Sequence, residues 1–344
     1  MQIIINAGGV GTRLWPLSTS KKPKQFVGLI DSEPLLLKTY KRLVQHFSPD
    51  QIWVNTNEKF KDLVLDCLPS SFDESHVLTE PSRRDNFPAI VSHAAIVANR
   101  TSDSEALVFV HADHFVPPHD WQTWNETLTK LGNAVDSREF DLMTSGVAPT
   151  FANNQLGYIE LSPEEKEKSF AAAVKIQQFK EKPTVKEAQK FLDSGCFLWN
   201  LGYFSFNFKT LHKTLQQHWP LEAEITNSFF KNGEITPALY GKMTKIAFDY
   251  AIAEKVNKIG VIGMKIEWED FGTWDIISKY LPEMTKNQVE FGGSGNLVKS
   301  DNEKRKVAFV GVSDLLVVEN EEGILIINPK NSSEIKKVSQ YFEI

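Results

Sequence analysis

The fold is decided by the N-terminal stretch Ile3-Ile4-Ile5-Asn6-Ala7-Gly8-Gly9-Val10-Gly11-Thr12-Arg13-Leu14. Three consecutive isoleucines are typical of a strand buried on both faces of a parallel sheet, which reads as a continuous apolar run. Glycines directly after a strand let backbone N–H groups approach a polyphosphate, and an arginine there neutralises phosphate charge. The stretch therefore predicts a phosphate-binding loop at the carboxyl end of a buried strand.

This loop differs from the two common phosphate-binding motifs. The dinucleotide fingerprint needs a third glycine where Leu14 stands, and a P-loop needs Gly-Lys-Ser/Thr where the chain has Gly11-Thr12-Arg13. A dehydrogenase and a P-loop kinase are therefore disfavoured. A tight turn without any ligand is the alternative for a glycine-rich loop considered alone.

Length and composition limit the class of protein. At about 150 residues per domain, 344 residues allow one large domain and a smaller unit. The 38 Lys and Arg against 44 Asp and Glu give 38 − 44 = −6, which disfavours a cationic surface for nucleic acid. Cys67 and Cys196 form no metal-binding pair. Because no secretory signal or membrane-length apolar run is found, we expect a cytoplasmic protein that binds no nucleic acid and no membrane.

Short apolar runs alternate with helical patterns along the first part of the chain, which predicts an α/β fold with a mostly parallel sheet flanked by helices. Ligands of such sheets bind in the loops that follow the strands. Strands are predicted at 3–5, 52–54 and 107–110, and helices at 35–46, 59–68 and 88–100.

The later part of the chain divides into two regions. Short strands predicted at 157–161, 174–179 and 196–206 continue the same sheet as a substrate-side lobe. After Pro282, runs at 307–312, 315–319 and 323–327 predict a small all-β appendage. We therefore expect a large α/β domain over 1–285 and a small β-rich C-terminal domain over 290–344.

The glycine loop continues as Trp15-Pro16-Leu17-Ser18 and then Pro23-Lys24-Gln25-Phe26. The whole string resembles the signature of the sugar-1-phosphate nucleotidylyltransferases, and its second half resembles the mannose-1-phosphate guanylyltransferase branch. That resemblance implies a Rossmann-like, GT-A-like nucleotidyltransferase domain with a small C-terminal β-domain. It also implies transfer of a guanylyl group from GTP to mannose 1-phosphate, by in-line attack of the sugar phosphate on the α-phosphorus.

The resemblance implies a nucleotide site in which Arg13 grips the phosphates and Lys24 holds the α-phosphate. The segment from Thr79 to Ala89 looks like the base-recognition segment, with Asn86 and Phe87 in place of the usual Thr and Ala. The Asn86 amide could bond a purine edge, and the Phe87 ring could stack on the base or pack beneath the helix. The implied nucleotide-binding residues are Ala7, Gly8, Gly9, Gly11, Thr12, Arg13, Lys24, Glu80, Arg84, Asn86, Pro88 and Asp113.

Two carboxylates are implied as metal ligands. Asp113 follows a predicted buried strand, and Asp270 lies in Trp268-Glu269-Asp270-Phe271-Gly272-Thr273-Trp274. Carboxylates from separate loops suit Mg²⁺, with Mn²⁺ as the alternative. Asp113 could instead cap a turn. His111 and His114 lack the spacing of a zinc site, so we expect structural or substrate contacts from them.

The sugar side is carried by a Glu-Lys-Pro motif at 181–183. Considered alone, these charges would be a solvated strand end before a helix. The resemblance implies that Glu181 holds sugar hydroxyls and Lys182 holds the sugar phosphate. The implied sugar-phosphate residues are Gly157, Glu181, Lys182, Asn200 and Asp249, and the implied catalytic residues are Arg13, Lys24 and Lys182.

Two other functions stay open at this point. One is the same chemistry on another pair, such as another GDP-sugar, or UTP or dTTP with glucose 1-phosphate. The other is a non-catalytic regulatory subunit that senses nucleotide sugars. Against it argues the joint presence of Arg13, Lys24, Asp113, Lys182 and Asp270. We expect a homo-oligomer, most simply a dimer.

Overall fold

The computed structural model describes residues 1–9, 11–282, 287–302 and 304–342. Its strands are β1 (Gln2–Asn6), β2 (Ile52–Asn57), β3 (Val77–Glu80), β4 (Ala106–His111), β5 (Leu142–Val147), β6 (Tyr158–Glu160), β7 (Val174–Lys175), β8 (Gln178–Lys180), β9 (Phe197–Asn200), β10 (Ser205–Asn207), β11 (Ile259–Met264), β12 (Gln288–Phe291), β13 (Leu297–Ser300), β14 (Val307–Val310), β15 (Leu316–Asn320) and β16 (Gly323–Ile327). Its α-helices are α1 (Leu35–Leu43), α2 (Lys61–Cys67), α3 (Asn86–Arg100), α4 (Trp121–Asp136), α5 (Pro163–Ser169), α6 (Val185–Ser194), α7 (Phe208–His218), α8 (Pro220–Asn232), α9 (Pro237–Tyr240), α10 (Trp274–Ile277) and α11 (Ile335–Tyr341).

An 11-stranded mixed sheet forms the centre, in the order β3-β2-β1-β4-β10-β5-β9-β6-β8, with β11 paired to β5 and β7. The strands β1 to β4 are parallel, so their carboxyl ends lie at one edge. Asn6 at the end of β1 is in register with Asn55 and His111 on its two neighbours. The predicted α/β class and the extension of the sheet through the later strands are confirmed.

Helices cover both faces of the sheet. Ile3 and Ile5 join the apolar layer under α1, α2 and α4, whereas Ile4 joins the layer under α3, α7 and α8. All three isoleucines are fully buried, as the continuous apolar run predicts. Within the described residues, no helix is long and apolar enough to cross a membrane.

The C-terminal unit contains two small sheets, one pairing β12 with β14 and the other ordered β13-β15-β16. The prediction of an all-β appendage is wrong in one respect, because the chain ends in a 3-10 segment (Pro329–Glu334) followed by α11. A polar 3-10 turn between short strands and a short helix carries no strong periodicity. The expected boundary between 285 and 290 stays a prediction, since residues 283–286 lie outside the described residues.

The C-terminal unit packs directly on the segment that follows the glycine loop. Leu14 and Trp15 share an apolar core with Leu316 and other side chains of β15 and β16. The side-chain amide of Asn320 donates to the carbonyl of Pro16 at 2.8 Å. A Cβ at Gly323 would lie 2.8 Å from the Trp15 ring, so the strand approaches the indole more closely than another residue would allow.

We expect this docking to contribute to the stability of the whole chain. Leu316 is fully buried in the shared core, whereas Ile324 on the paired strand is 61% exposed. Leu316→Ala should lower the free energy of unfolding in urea by about 2–5 kcal/mol because it leaves a cavity. The matched variant Ile324→Ala should change it by less than about 0.5 kcal/mol. Equal effects of the two substitutions would contradict this packing.

Candidate active site

A buried glutamine side chain forms hydrogen bonds with the backbone of the glycine loop. The Gln25 side-chain amide donates to the carbonyls of Ala7 and Gly9 at 2.8 and 2.9 Å. Gly11 has a φ of 57°, and a Cβ there would lie 2.7 Å from Cγ of Lys24, so a side chain would be both strained and crowded. Val10 and the side chain of Thr12 lie outside the described part of the structure.

Lys24 connects three segments of the chain at the carboxyl edge of the sheet. Its Nζ lies 3.0 Å from Oδ2 of Asp113 and donates to the backbone carbonyl of Asp270 at 2.8 Å. Burial alone would raise the pKa of Asp113, but the charge of Lys24 and the hydrogen bond that Lys24 donates hold that pKa well below its usual value. Asp113 is therefore ionised at neutral pH.

A cleft of about 250 Å³ opens beside Asp113. Of the residues that the sequence implies for the nucleotide, it is lined by Gly8, Gly9, Glu80, Arg84, Asn86 and Asp113. Ala7 and Pro88 are buried, Pro88 in the first turn of α3, so their contribution is support of the backbone around the cleft. Arg13 is separated from this group and lines a second cleft together with Asp270.

The segment from Thr79 to Ala89 uses several of its side chains to contact other parts of the protein. Oδ1 of Asn86 accepts the backbone N–H of Phe248 at 2.7 Å, which orients the amide and leaves its NH₂ group available to a ligand. Phe87 is fully buried and contacts the Trp219 ring at 5.3 Å. Of the two roles considered for Phe87, packing beneath the helix is the one observed, and stacking on a base is wrong. Arg84 donates from Nε to the carbonyl of Met243 at 2.8 Å.

Two cleft residues, Asn6 and Asn55, and one residue that contacts the cleft residue Glu80 were not assigned from the sequence. The Tyr240 hydroxyl donates to the Glu80 carboxylate, and burial raises the pKa of Glu80 despite this hydrogen bond. The Asn55 amide donates to Oδ1 of Asn6 at 2.5 Å. Tyr240 lies far from Glu80 along the chain and in no recognisable motif, so the sequence offers no signal for it. The two asparagines interrupt apolar strand ends, which is a signal that sequence reasoning could have used.

The five residues implied for the sugar phosphate lie close together. The Asn200 amide donates to Oδ1 of Asp249 at 3.1 Å, and Lys182 lies 3.3 Å from the Glu181 carboxylate. A Cβ at Gly157 would lie 2.5 Å from Oε2 of Glu181, so the absence of a side chain at Gly157 leaves room for this carboxylate. Lys182 has a φ of 42°, a left-handed conformation that is uncommon for lysine and typical of functional sites.

Oxygen ligands suitable for a hard divalent cation meet around Lys24. Asp113 and Asp270 come from different loops, and the Lys24 ammonium group contacts the carboxylate of Asp113 and the backbone carbonyl of Asp270. The donor set therefore fits Mg²⁺ or Mn²⁺. His111 and His114 also lie within 4.8 Å of Asp113, measured between ligand atoms. Nδ1 of His114 is 3.0 Å from the Tyr203 hydroxyl, and burial lowers the pKa of both histidines, so they are neutral.

The chain is similar to known proteins in family signature, in sequence and in structure. Residues 2–287 match the family described as nucleotidyl transferase. The chain is 28% identical to a mannose-1-phosphate guanylyltransferase of Escherichia coli, over 99% of this chain and 73% of that protein. It is 29% identical to the xanthan biosynthesis protein XanB of Xanthomonas campestris, over 97% of this chain and 72% of that protein. A crystal structure of mannose-1-phosphate geranyltransferase from Thermus thermophilus superimposes with a TM-score of 0.84 at 26% identity, covering 100% of this chain and 99% of that one.

The fold is an α/β sheet with a cleft at the carboxyl ends of its parallel strands, which is where ligands of such sheets bind. The family match extends over most of the chain, and the chain belongs to the nucleotidyl transferase family. It is therefore a nucleotidyltransferase. Sugar-1-phosphate nucleotidyl transfer is the activity class that these comparisons support.

Asp249 predicts a dependence of stability on pH. Burial, and then the charge of Glu181, raise its pKa to about 7. Because the folded state binds a proton that the unfolded state has released, the free energy of unfolding falls as pH rises from about 4 to 7. Asp249→Asn keeps the bond from Asn200 and cannot ionise. The free energy of unfolding of the variant, relative to that of the wild type, should therefore be about 1–3 kcal/mol higher at pH 8 than at pH 5. Urea unfolding at the two pH values is the measurement. A constant difference at both pH values would contradict the shift.

Proposed function

We propose that the chain transfers a guanylyl group from GTP to α-D-mannose 1-phosphate, giving GDP-mannose and diphosphate. The observation that carries the proposal is the meeting of Lys24, Asp113 and the Asp270 segment beside a base-sized cleft. The cluster that contains the Glu181–Lys182 pair supplies groups suited to a sugar phosphate. The names of relatives similar over nearly the whole chain favour this pair of substrates.

In the proposed complex, the base and ribose occupy the cleft beside Glu80 and Asn86, and the glycine loop surrounds the phosphates. The NH₂ group of Asn86 is free to bond an acceptor on a purine edge. The Glu80 carboxylate is fixed by Tyr240 and can accept from a base amino group. Lys24 then neutralises the α-phosphate and Arg13 the outer phosphates.

The sugar phosphate is the nucleophile in this reaction, so no protein nucleophile is required. Lys182 orients the attacking phosphate oxygen, and the Glu181 carboxylate binds sugar hydroxyls, with Asn200 and Asp249 behind it. The phosphate attacks the α-phosphorus in line while diphosphate leaves from the opposite side. Catalysis therefore comes from positioning and from neutralisation of charge.

Asp113 and Asp270 would hold the divalent cation, for which we propose Mg²⁺ with Mn²⁺ as the substitute. When bound, such an ion stabilises negative charge on phosphoryl oxygens as a Lewis acid. Without a cation the two carboxylates would repel the phosphates electrostatically. The expected dimer stays a prediction.

Removal of either metal ligand should nearly abolish turnover. Asp113→Ala and Asp270→Ala should each lower kcat by at least about 10³-fold, because charge stabilisation in the transition state is lost. Diphosphate release is the measurement, with circular dichroism to verify folding. Asp50→Ala, at an exposed aspartate, is the control. Retention of most activity by both variants would contradict the metal assignment.

Substitution of Lys182 should change the kinetics with the sugar phosphate and leave those with the nucleotide nearly unchanged. Lys182→Ala should raise KM for the sugar phosphate by about 10–100-fold, with KM for the nucleotide changed by less than about threefold. The control is Lys180→Ala, because Lys180 is a nearby lysine that lies 3.9 Å from Glu187. Unchanged sugar-phosphate kinetics in Lys182→Ala would contradict its role.

The proposed function is tested by measuring diphosphate release over a matrix of GTP, ATP, UTP and dTTP against mannose 1-phosphate and glucose 1-phosphate, with Mg²⁺. The highest kcat/KM is expected for GTP with mannose 1-phosphate. A higher value for another pair would indicate the same chemistry on other substrates. Binding without turnover for every pair would indicate a regulatory, nucleotide-sugar-sensing protein.

A further inference from the structure

A second cleft, of about 680 Å³, lies between the catalytic sheet and the C-terminal unit. It is lined by Arg13 and Asp270, by the segment around Asn153, and by Lys330 and Lys336 of the C-terminal unit. Its volume is within the range of about 300–1,000 Å³ that is typical of small-molecule sites.

The cleft is cationic although the chain as a whole is acidic. Its charged lining residues are Arg13, Lys279, Lys330 and Lys336 against Asp270 and Asp275, which is 4 − 2 = +2. Among the described residues, none of the four cations lies within 4.0 Å of a carboxylate in the ion pairs formed. These charges are therefore available to an anionic ligand.

The two C-terminal lysines are held on a fixed backbone. The Ser332 hydroxyl, between them in sequence, accepts the backbone N–H of Asp275 at 3.0 Å and is buried. Ile335, which precedes Lys336, is 1% exposed and belongs to the core shared with Trp15. Lys337 is the next residue, but it pairs with Glu334 and does not line the cleft.

The cationic cleft and the base-side cleft adjoin each other at Lys24. Lys24 pairs with Asp113, which lines the base-side cleft, and donates to the carbonyl of Asp270, which lines the cationic cleft. A nucleotide whose α-phosphate lies at Lys24 can therefore extend its outer phosphates past Arg13 towards the lysines. Each additional phosphate group carries charge that the cationic lining would neutralise.

We propose that Lys330 and Lys336 bind the outer phosphates of the nucleoside triphosphate and the diphosphate that leaves. This inference rests on the proposed function and assigns the C-terminal unit a direct part in substrate binding. The ligand class is an inorganic or nucleotide-borne polyphosphate, because unpaired ammonium groups at the end of a phosphate path select anionic charge and not sugar hydroxyls.

Kinetics of the reverse reaction, with GDP-mannose and diphosphate as substrates, provide the first test. Lys330→Ala and Lys336→Ala should each raise KM for diphosphate by about 3–10-fold, and the double variant should raise it further. The difference in KM between each variant and the wild type should be smaller at 0.5 M salt than at 0.05 M, because salt screens the charges. Lys337→Ala is the matched control and should change KM by less than about twofold. KM for mannose 1-phosphate in the forward direction should stay the same in all variants.

Direct binding separates this inference from the proposed function. Isothermal titration with inorganic tripolyphosphate needs no turnover, so it remains informative if GTP and mannose 1-phosphate prove to be the wrong substrates. Weaker binding by the Lys330/Lys336 double alanine variant than by Lys337→Ala supports the inference. Equal affinities, or a raised KM for mannose 1-phosphate with an unchanged KM for diphosphate, would overturn it.

Discussion

The ammonium group of Lys24 is the interaction on which the active site depends. It lies 3.0 Å from the Asp113 carboxylate and 2.8 Å from the Asp270 carbonyl, so one side chain joins the glycine loop, the end of β4 and the segment after β11. The close approach of Gly11 to the Lys24 side chain depends on the absence of a Cβ. Phosphate, carboxylate and cation chemistry are thereby concentrated at one edge of the sheet.

This arrangement is consistent with the proposed binding of highly charged anions by an acidic chain. The formal charge of −6 is a sum over the whole chain, whereas Arg13, Lys24 and Lys182 are the cations that we place around the proposed reaction path. Carboxylates next to that path are positioned to act through a bound cation. The C-terminal unit packs on Trp15 and extends the cationic lining, which links its docking to the proposed binding of diphosphate.

The sequence predicted the architecture well because its signals were local. Local backbone preference and burial produce the signals of the β1 isoleucines, of the glycines that follow them and of the α/β alternation. The structure has strands where these patterns predicted them. The sequence could not show that Asn86 uses its oxygen on Phe248, that Tyr240 holds Glu80, or that Arg13 lines a separate cleft. Those facts depend on distant segments brought together by packing, which no local pattern encodes. The short helix α11 was not predicted, for a similar reason. Its contacts with the core are made within one turn and with Leu14 and Trp15, which lie far away in the sequence.

Crystals grown with GTP and Mn²⁺ would test the central claim most directly, since the anomalous signal of Mn²⁺ marks the metal independently of the protein. The expected result is one Mn²⁺ between the carboxylates of Asp113 and Asp270, in contact with the α-phosphate, with guanine beside Glu80 and Asn86. Manganese held by His111 and His114 without Asp270, or guanine in the cleft of Lys330 and Lys336, would contradict it.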